Sequence, residues 1–596
     1  MTTQSTMGKR PITVVEIEQP RCVERFGVSP CTATGTKCYN CLGTCTDLAN
    51  INQTGSIKWR FVDDRPGIYD FADFTDADNP ELDPLPSLVS VGTSENKINA
   101  GSHLDGISPL GATGKATIAM KDIPWNDAWG DFYVADRSGY VAGKPPPNRA
   151  NFWALWTARN TLFTDMFLRV YDGYEGQTLA AMRQRLYVLD SVDGPNENGA
   201  VTIKGLDPLR LTDGDQAEFP RTSKLDLYGD IDDTTGVVQI FGIEADLSDA
   251  FGNTGSNKWL VIGKELVKYT GYVDEGDGIF TLSGVVRGDL DSVAASHSDK
   301  DKAQRAGRYE ALSFWLVLND LFVNHTSIPA SFIPLTDWNT EGDTYLPTYK
   351  ATRTIIKPTS VKKLAGQIAQ QGLFYIWWSE YEQEIKLLAV RAPDETPIAL
   401  NDTDNLLRGT VLKREASERL TQVAVYYNQM DVFGGDDDDA NYTNRFTAVN
   451  GDNLGEARVA KIYAPWVTNR TQAVQLSVRL LIRYQNVPQF LTVTVDAKDR
   501  DTIVGTVVDI DTATIVDTEG NLNTTRWQVI SAKELKAGHS YILSLQTYEF
   551  IGKFGRYMAN GSPDYGAATD EQKATGAWYA DDSGLLSGPT DGYLYQ

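Results

Sequence analysis

Short alternating or apolar runs, each closed by glycine, aspartate, asparagine or proline, recur along most of this chain and restrict it to a mainly β architecture. "ITVVEIEQ" (12–19), "SLVSVGTS" (87–94) and "GKATIAMKDI" (114–123) read as strands. The stretch between the last two, "KINAGSHLDGISPLGATG", reads as a loop. "MFLRVYDG" (166–173) is mixed on both faces, as expected of a strand covered on both sides. "RLYVLDSVDGPNENGAVTIKGLD" (185–207) reads as a long hairpin with "DGPNENG" at its tip. The runs "GVVQIFG", "KWLVIGKELVKYTGYV" and "IFTLSGVVRGD", within 221–305, suggest a small barrel or sandwich of their own.

Helical signals are fewer. In "PTSVKKLAGQIAQQG", Thr359 and Ser360 form a candidate cap and Gly372 a candidate stop. Val361, Leu364, Ala365 and Ile368 make one apolar stripe between them. "LFYIWWSE" and "EIKLLAVRAP" then read as a hairpin turned by "EYEQE". From about 405 to 555 strands return, interrupted by a helix at "RTQAVQLSVRLLIRYQ". Beyond 555 the chain is rich in Gly, Asp, Ser and Tyr and reads as an extended arm. A length of 596 residues implies several domains, about four at the usual size.

The formal charge is −24, from 79 acidic and 55 basic residues, and such a surface repels nucleic acid and anionic membrane. No run long enough for a signal peptide or a membrane span occurs, so the expected site of synthesis is a reducing cytoplasm. The four histidines (103, 297, 325 and 539) share no motif with a nucleophile, which argues against Ser-His or Cys-His chemistry.

All five cysteines fall in "CVERFGVSPCTATGTKCYNCLGTC", residues 22–45, with the spacing C-x8-C-x6-C-x2-C-x3-C. A disulfide framework suits neither the odd count nor the compartment. Structural zinc favours paired CxxC knuckles, and only Cys38 and Cys41 have that spacing. An iron–sulfur cluster tolerates a more irregular loop, and the surrounding Gly and Thr residues allow tight turns and N–H contacts to sulfur. Spacing favours iron–sulfur over zinc and leaves both open.

Other motifs have bland readings. "GGDDDDANYTN" (434–444) lacks EF-hand spacing and reads as a solvated acidic loop rather than a cation site. "DIDTATIVDTEG" reads as a strand and its turn. Trp377 and Trp378 read as core or interface rather than a stacking platform. Arg287-Gly288-Asp289 resembles an adhesion tripeptide, a match of almost no specificity.

Several stretches together resemble one family. "RCVERFGVSPCTATGTKCYNCLGTC", "LPSLVSVGTSENKINAG", "FWALWTARN", "VYDGYEGQTLAAMRQRLYVLDSVDGP" and "GQIAQQGLFYIWWSEYEQEIKLLAVR" are similar, in this order, to baseplate hub (central tail-tip) proteins of long-tailed, non-contractile bacteriophages and of related gene transfer particles. "VIGKELVKYTG…LSGVVRGDLDSVAASHSDKDKAQ" resembles the β module inserted in such hubs, and the C-terminal stretch resembles their extended tail.

The resemblance implies a [4Fe–4S] cluster held by Cys22, Cys31, Cys38 and Cys45, with zinc the lesser alternative. Cys41 is the extra thiol, able to stand in for one of the four. It also implies a mainly β, multidomain chain with some α: a strand and cluster loop (1–60), a first tube-like β domain (61–220), an inserted small β-barrel (221–308), an α+β domain (309–404), a second tube-like β domain (405–555) and an arm (556–596). The implied function is structural and not enzymatic. A homotrimer adapts a sixfold tail tube to a threefold tip and lines or closes a channel through which DNA passes without specific binding. The implied partners are the distal tail protein, the tape measure protein and tip or fibre proteins, in a virion assembled in the host cytoplasm. A receptor-binding or cell-wall-degrading tip protein is the alternative.

Overall fold

Strands form where one face of a short segment meets a core. The computed structural model describes residues 10–35, 38–64, 84–94, 97–98, 114–125, 151–164, 166–213, 217–248, 252–380, 382–391, 397–407, 410–450, 457–499, 502–536, 540–547, 569, 577–578 and 594–595. It is mainly β with several helices.

The first sheet comprises β1 (Pro11–Arg21), β2 (Gly55–Phe61), β3 (Leu88–Ser94), β4 (Lys115–Lys121), β5 (Phe167–Tyr174), β6 (Arg183–Asp193) and β7 (Ala200–Leu206). Its order is β2-β1-β5-β6-β7-β4-β3, antiparallel throughout. The two edges meet: Val62 N–H donates to Leu85 O (2.9 Å) and Leu88 N–H to Val62 O (3.0 Å). This nearly closed barrel encloses Val15, Ile17, Ile118, Leu168, Tyr187 and Ile203. Helix α1 (Phe152–Arg159) inserts Phe152, Trp153 and Trp156 into the same core. Gln19 accepts from the indoles of the half-buried Trp59 (2.8 Å) and the buried Trp156 (3.0 Å), so both N–H groups are satisfied.

After β8 (Glu218–Phe219) comes a small barrel of β9 (Leu225–Leu227), β10 (Gln239–Phe241), β11 (Lys258–Ile262), β12 (Glu265–Tyr269), β13 (Gly271–Gly276), β14 (Ile279–Ser283) and the first half of β15 (Lys302–Ser313). Reciprocal hydrogen bonds between Lys268 and Val286, each 2.9 Å, draw the chain beyond β14 onto β12. The second half of β15 pairs with β16 (Lys350–Ile355), so one strand belongs to both the module and its neighbour. Gly252 lies against β15 at φ +105°, where a Cβ would stand 1.8 Å from Arg308 O, so only glycine fits.

The helical layer holds α2 (Phe314–His325), α3 (Leu335–Tyr345) and, after β17 (Thr359–Ser360), α4 (Val361–Gly372). Val361, Leu364, Ala365 and Ile368 are buried, as the stripe predicts. The ends of α4 differ from expectation. Ser360 makes no side-chain cap bond, and Leu373 rather than Gly372 takes the left-handed conformation, at φ +58°. Gly372 is required for another reason: a Cβ would stand 2.4 Å from the Phe374 ring. The hairpin β18 (Phe374–Ser379) and β19 (Glu384–Ala389) follows, with Trp377 and Trp378 buried in β18.

A second barrel comprises β20 (Ile398–Asn401), β21 (Val411–Arg414), β25 (Gln489–Asp496), β26 (Val507–Asp511), β27 (Thr525–Lys536) and β28 (Ser540–Thr547), ordered β20-β26-β27-β28-β25-β21. The segment from β20 to β21 bridges both edges. β20 runs parallel to β26, and Leu407 N–H donates to Thr494 O (2.7 Å) in β25. Leu400, Val493, Ile510, Trp527 and Leu543 fill it. Between β21 and β25 lie the sheet β22 (Gln422–Gln429), β23 (Tyr442–Val449) and β24 (Val459–Ala464), and helix α5 (Arg470–Tyr484) packed on it.

The two larger barrels touch through backbone. Lys97 pairs with Ser531, and Ile98 N–H donates to Ile530 O at 2.9 Å, with Ile98 fully buried. In the separate unit 549–596, Ala577–Trp578 pairs with Leu594–Tyr595. Apart from Thr569, the rest of the expected arm lies outside the described residues.

In the small barrel, Glu265 is completely buried and binds Arg287 (Nη2 at 2.8 Å), the amides of Gly288 and Ala295 (both 3.0 Å) and His297 Nε2 (2.9 Å). Burial alone raises the carboxyl pKa. The bonds from Arg287, Ala295 and His297, with the Arg287 charge, outweigh it and hold the group at about 2, against an ordinary 4.5. Because the folded value is the lower one, this stabilisation is complete above pH 4.5 and is lost as pH falls towards 2. Glu265→Gln is therefore expected to lower the thermal midpoint at pH 7, with the deficit shrinking as pH falls below 4.5, in melts followed by circular dichroism. A deficit independent of pH contradicts the assignment.

Candidate cofactor site in the cysteine segment

β1 and β2 pair up to Arg21 opposite Gly55, so the cysteine segment is one long excursion at the end of an antiparallel pair. It is held mostly by polar bonds. Asn40, at φ +58°, accepts from Cys22 N–H (2.7 Å) through its backbone O, and its amide donates to Cys22 O (3.0 Å) and Glu24 O (3.3 Å). Asp47 accepts from Thr32 N–H (2.6 Å), Thr32 Oγ1 (2.9 Å) and Asn50 Nδ2 (3.1 Å). The Thr32 amide, followed by the Asn50 side chain, holds the Asp47 carboxyl below its ordinary range.

All five cysteines line a single recess, together with Glu24, Phe26 and Asp47. Cys22 and Cys41 are buried, whereas Cys31, Cys38 and Cys45 are half-buried. Backbone N–H groups point at two sulfurs: Asn52 at Cys22 Sγ and Asp47 at Cys45 Sγ, both at 3.4 Å. Burial pushes the Cys45 thiol up, and the neighbouring Cys38, Cys22 and Cys31 push it the same way.

Cys41 is engaged differently. Its Sγ donates to Arg159 O (3.1 Å) at the end of α1 and lies 3.1 Å from Thr44 Oγ1. Burial raises its pKa against the Thr44 hydrogen bonds, which keeps it a thiol that can donate. Beside it, the Arg159 guanidinium lies 3.9 Å from the Tyr39 ring centroid. Gly43 fits closely here, since a Cβ would stand 2.6 Å from Thr161 Oγ1 and 2.9 Å from Arg159 O. The segment is thus docked on α1, whose tryptophans sit in the first barrel's core.

Among the described residues, no three His, Cys, Asp or Glu side chains stand in a metal-coordinating arrangement. The donor chemistry of the recess nonetheless suits a thiolate-held centre. Four sulfurs from spaced positions of one segment line it, and two already receive N–H groups of the kind that favour thiolate. Sequence reasoning missed Asn40, Asp47, Asn52 and Arg159, the residues that fix the recess. Only the Asn and Asp content of the loop hinted at the first three, and Arg159 had no signal.

The other motifs resolve as structural. In the acidic loop, Asp436 binds Arg353 (2.7 Å), Asp438 accepts from Ala440 N–H, and Asp439 binds Lys461 (2.8 Å) and Tyr463 (2.6 Å). The Arg-Gly-Asp tripeptide is used internally: Arg287 by Glu265, and Asp289 by the Trp259 indole (2.6 Å). His325 packs on Phe219, and His103 and His539 lie outside the described residues. No helix among the described residues is long and apolar enough to cross a membrane.

No family model and no curated protein matches the chain. Similar solved structures include the 43 kDa tail protein of prophage MuSo2 from Shewanella oneidensis, with 10% identity, 76% of this chain and 97% of that one covered, and a TM-score of 0.29. A tail protein from Neisseria meningitidis gives 10%, 77%, 97% and 0.30. A chain of the virion of a native gene transfer agent particle gives 11%, 63%, 81% and 0.28. At such TM-scores and identities, these likenesses carry no weight for the fold or function of this chain.

Asn40→Ala removes the donor to two carbonyls and puts alanine at a left-handed position, for a local cost of about 1–3 kcal/mol. Amide exchange across 22–52 is expected to quicken by roughly tenfold or more, at about 1.4 kcal/mol per decade, while amides of the first barrel keep their rates. Unchanged exchange in the segment contradicts the role given to Asn40.

Proposed function

We propose that this chain is the structural hub of a phage-type tail, a homotrimer that joins a sixfold tube to a threefold tip. The observation that carries this reading is the backbone contact between the two larger barrels, Ile98 N–H to Ile530 O. Each chain brings two β barrels side by side, so three chains supply six, the number a sixfold tube requires. The small barrel and the helical layer between them make the two halves of each chain unlike, which suits a threefold tip. The order of the sequence stretches that resemble hub proteins supports the same reading.

In this role the protein works by assembly and not by catalysis. Its partners are the distal tail protein, the tape measure protein and tip or fibre proteins, in a virion assembled in the host cytoplasm. The net charge of −24 suits a channel wall, since carboxylates repel DNA phosphates and let the duplex pass without sticking.

Cys22, Cys31, Cys38 and Cys45 would hold a [4Fe–4S] cluster, with zinc the lesser alternative, and Cys41 would serve as the clamp to Arg159. A bound centre supplies metal–sulfur bonds that fix a segment with little apolar core of its own. The chain's own residues set its position, through Asn40 and Asp47 within the segment and Arg159 beneath it.

Anaerobically purified protein is expected to carry ~4 iron and ~4 labile sulfide per chain. Cys31→Ser is expected to lose most of the iron, and Cys41→Ser to keep it. Zinc in place of iron, or equal loss in both variants, contradicts the assignment. For assembly, Ile98→Pro deletes the N–H that reaches Ile530 and is expected to abolish the trimer in light scattering while both barrels still melt cooperatively. A trimer that survives this change contradicts the role of the contact.

A further inference from the structure

A cleft of about 590 Å³ opens between β16 and α4 on one side and β24 and the loop before β23 on the other. Its size is that of a small-ligand site. We infer that this cleft is a saccharide-binding site. The site is read from the cleft alone, and only the choice of bacterial glycans in the test rests on the tail reading.

Its wall is a row of planar polar groups held in place. Arg353 donates to Gln367 Oε1 (2.5 Å) and to Asp436 Oδ2 (2.7 Å), and Gln429 Nε2 donates to Asp436 Oδ1 (3.2 Å). The Arg353 guanidinium lies over the Trp466 ring, 5.3 Å from its centroid. The loop is equally fixed. The Asn441 amide donates to Asp431 O (2.9 Å) and Gly435 O (3.1 Å), and Tyr442 Oη donates to Asp436 O (2.6 Å). A Cβ on Gly434 would stand 2.5 Å from Asn441 Nδ2, so the loop closes tightly on this asparagine. The cleft therefore needs little ordering on binding, which lowers the entropic cost.

The row keeps unused capacity. Among the described residues, Gln367 Nε2 has no acceptor, Gln429 Oε1 has no donor, and the exposed Asp437 makes no hydrogen bond or ion pair. Within this row the free groups are the Gln367 amide nitrogen as donor, and Gln429 Oε1 and the Asp437 carboxylate as acceptors. Neighbouring hydroxyls of a sugar ring, each both donor and acceptor, match this pattern. Val432 and Phe433 add apolar lining suited to the C–H face of such a ring. Lys357, Lys363 and Lys461 also line the cleft, so both the hydroxyl and the acidic groups of a saccharide find donors there.

The test uses the full chain on an immobilised panel of bacterial capsule, lipopolysaccharide O-chain and peptidoglycan glycan fragments. Retention on at least one class is expected, and the class retained distinguishes a cell-surface from a cell-wall source. Asp437→Ala and Gln429→Ala are each expected to weaken that binding by tenfold or more with unchanged circular dichroism. No retention by any class, or binding unaffected in both variants, overturns the proposal.

Discussion

One backbone contact ties the two larger barrels together: the pairing of Lys97 with Ser531 and the bond from Ile98 N–H to Ile530 O. Strands present rows of unpaired donors and acceptors at their edges, and a buried unpaired group is costly. Here the segment just beyond β3 of one barrel pairs with β27 of the other within the same chain, on a fully buried isoleucine. Two barrels far apart in sequence become neighbours. The inserted small barrel and helical layer are then fastened between them through shared elements, chiefly β15, which pairs with β11 on one half and β16 on the other.

The cysteine segment follows a different physical logic. It has few apolar residues of its own, and its folding relies on Asn40, Asp47 and the docking of Cys41 on Arg159. Because α1 carries Arg159 at its end and Trp153 and Trp156 in the barrel core, the recess is rigidly referred to the first barrel. The proposed centre would fix the remaining loop, and the barrel would fix the proposed centre. Cys41 sits at the junction of the two.

What the sequence made legible was local. The strands and the apolar stripe of α4 follow from periodicity, and a common recess for the cysteines follows from their crowding into 24 residues. What it hid was nonlocal. Nothing in the sequence tied Arg159 to Cys41, Val286 to Lys268, or Ile98 to Ile530, since such pairings depend on the closed sheets. Gly372 shows the same limit in small. It sits where a helix stop belongs, yet its role is to clear the Phe374 ring, and Leu373 carries the turn. The Arg287, Glu265 and His297 node is another case. Its residues are spread over 33 positions and meet only when β12 and the chain after β14 close the small barrel.

The central claim is that two barrels per chain, joined at Ile98 and Ile530, build a ring of six from three chains. Electron cryo-microscopy of the purified oligomer tests it most directly. The account predicts a ring of three 65.7 kDa chains with six barrels at near-equal angular spacing around a central channel. A particle in which the two barrels of a chain lie at different radii, or whose chain number is not three, would contradict it.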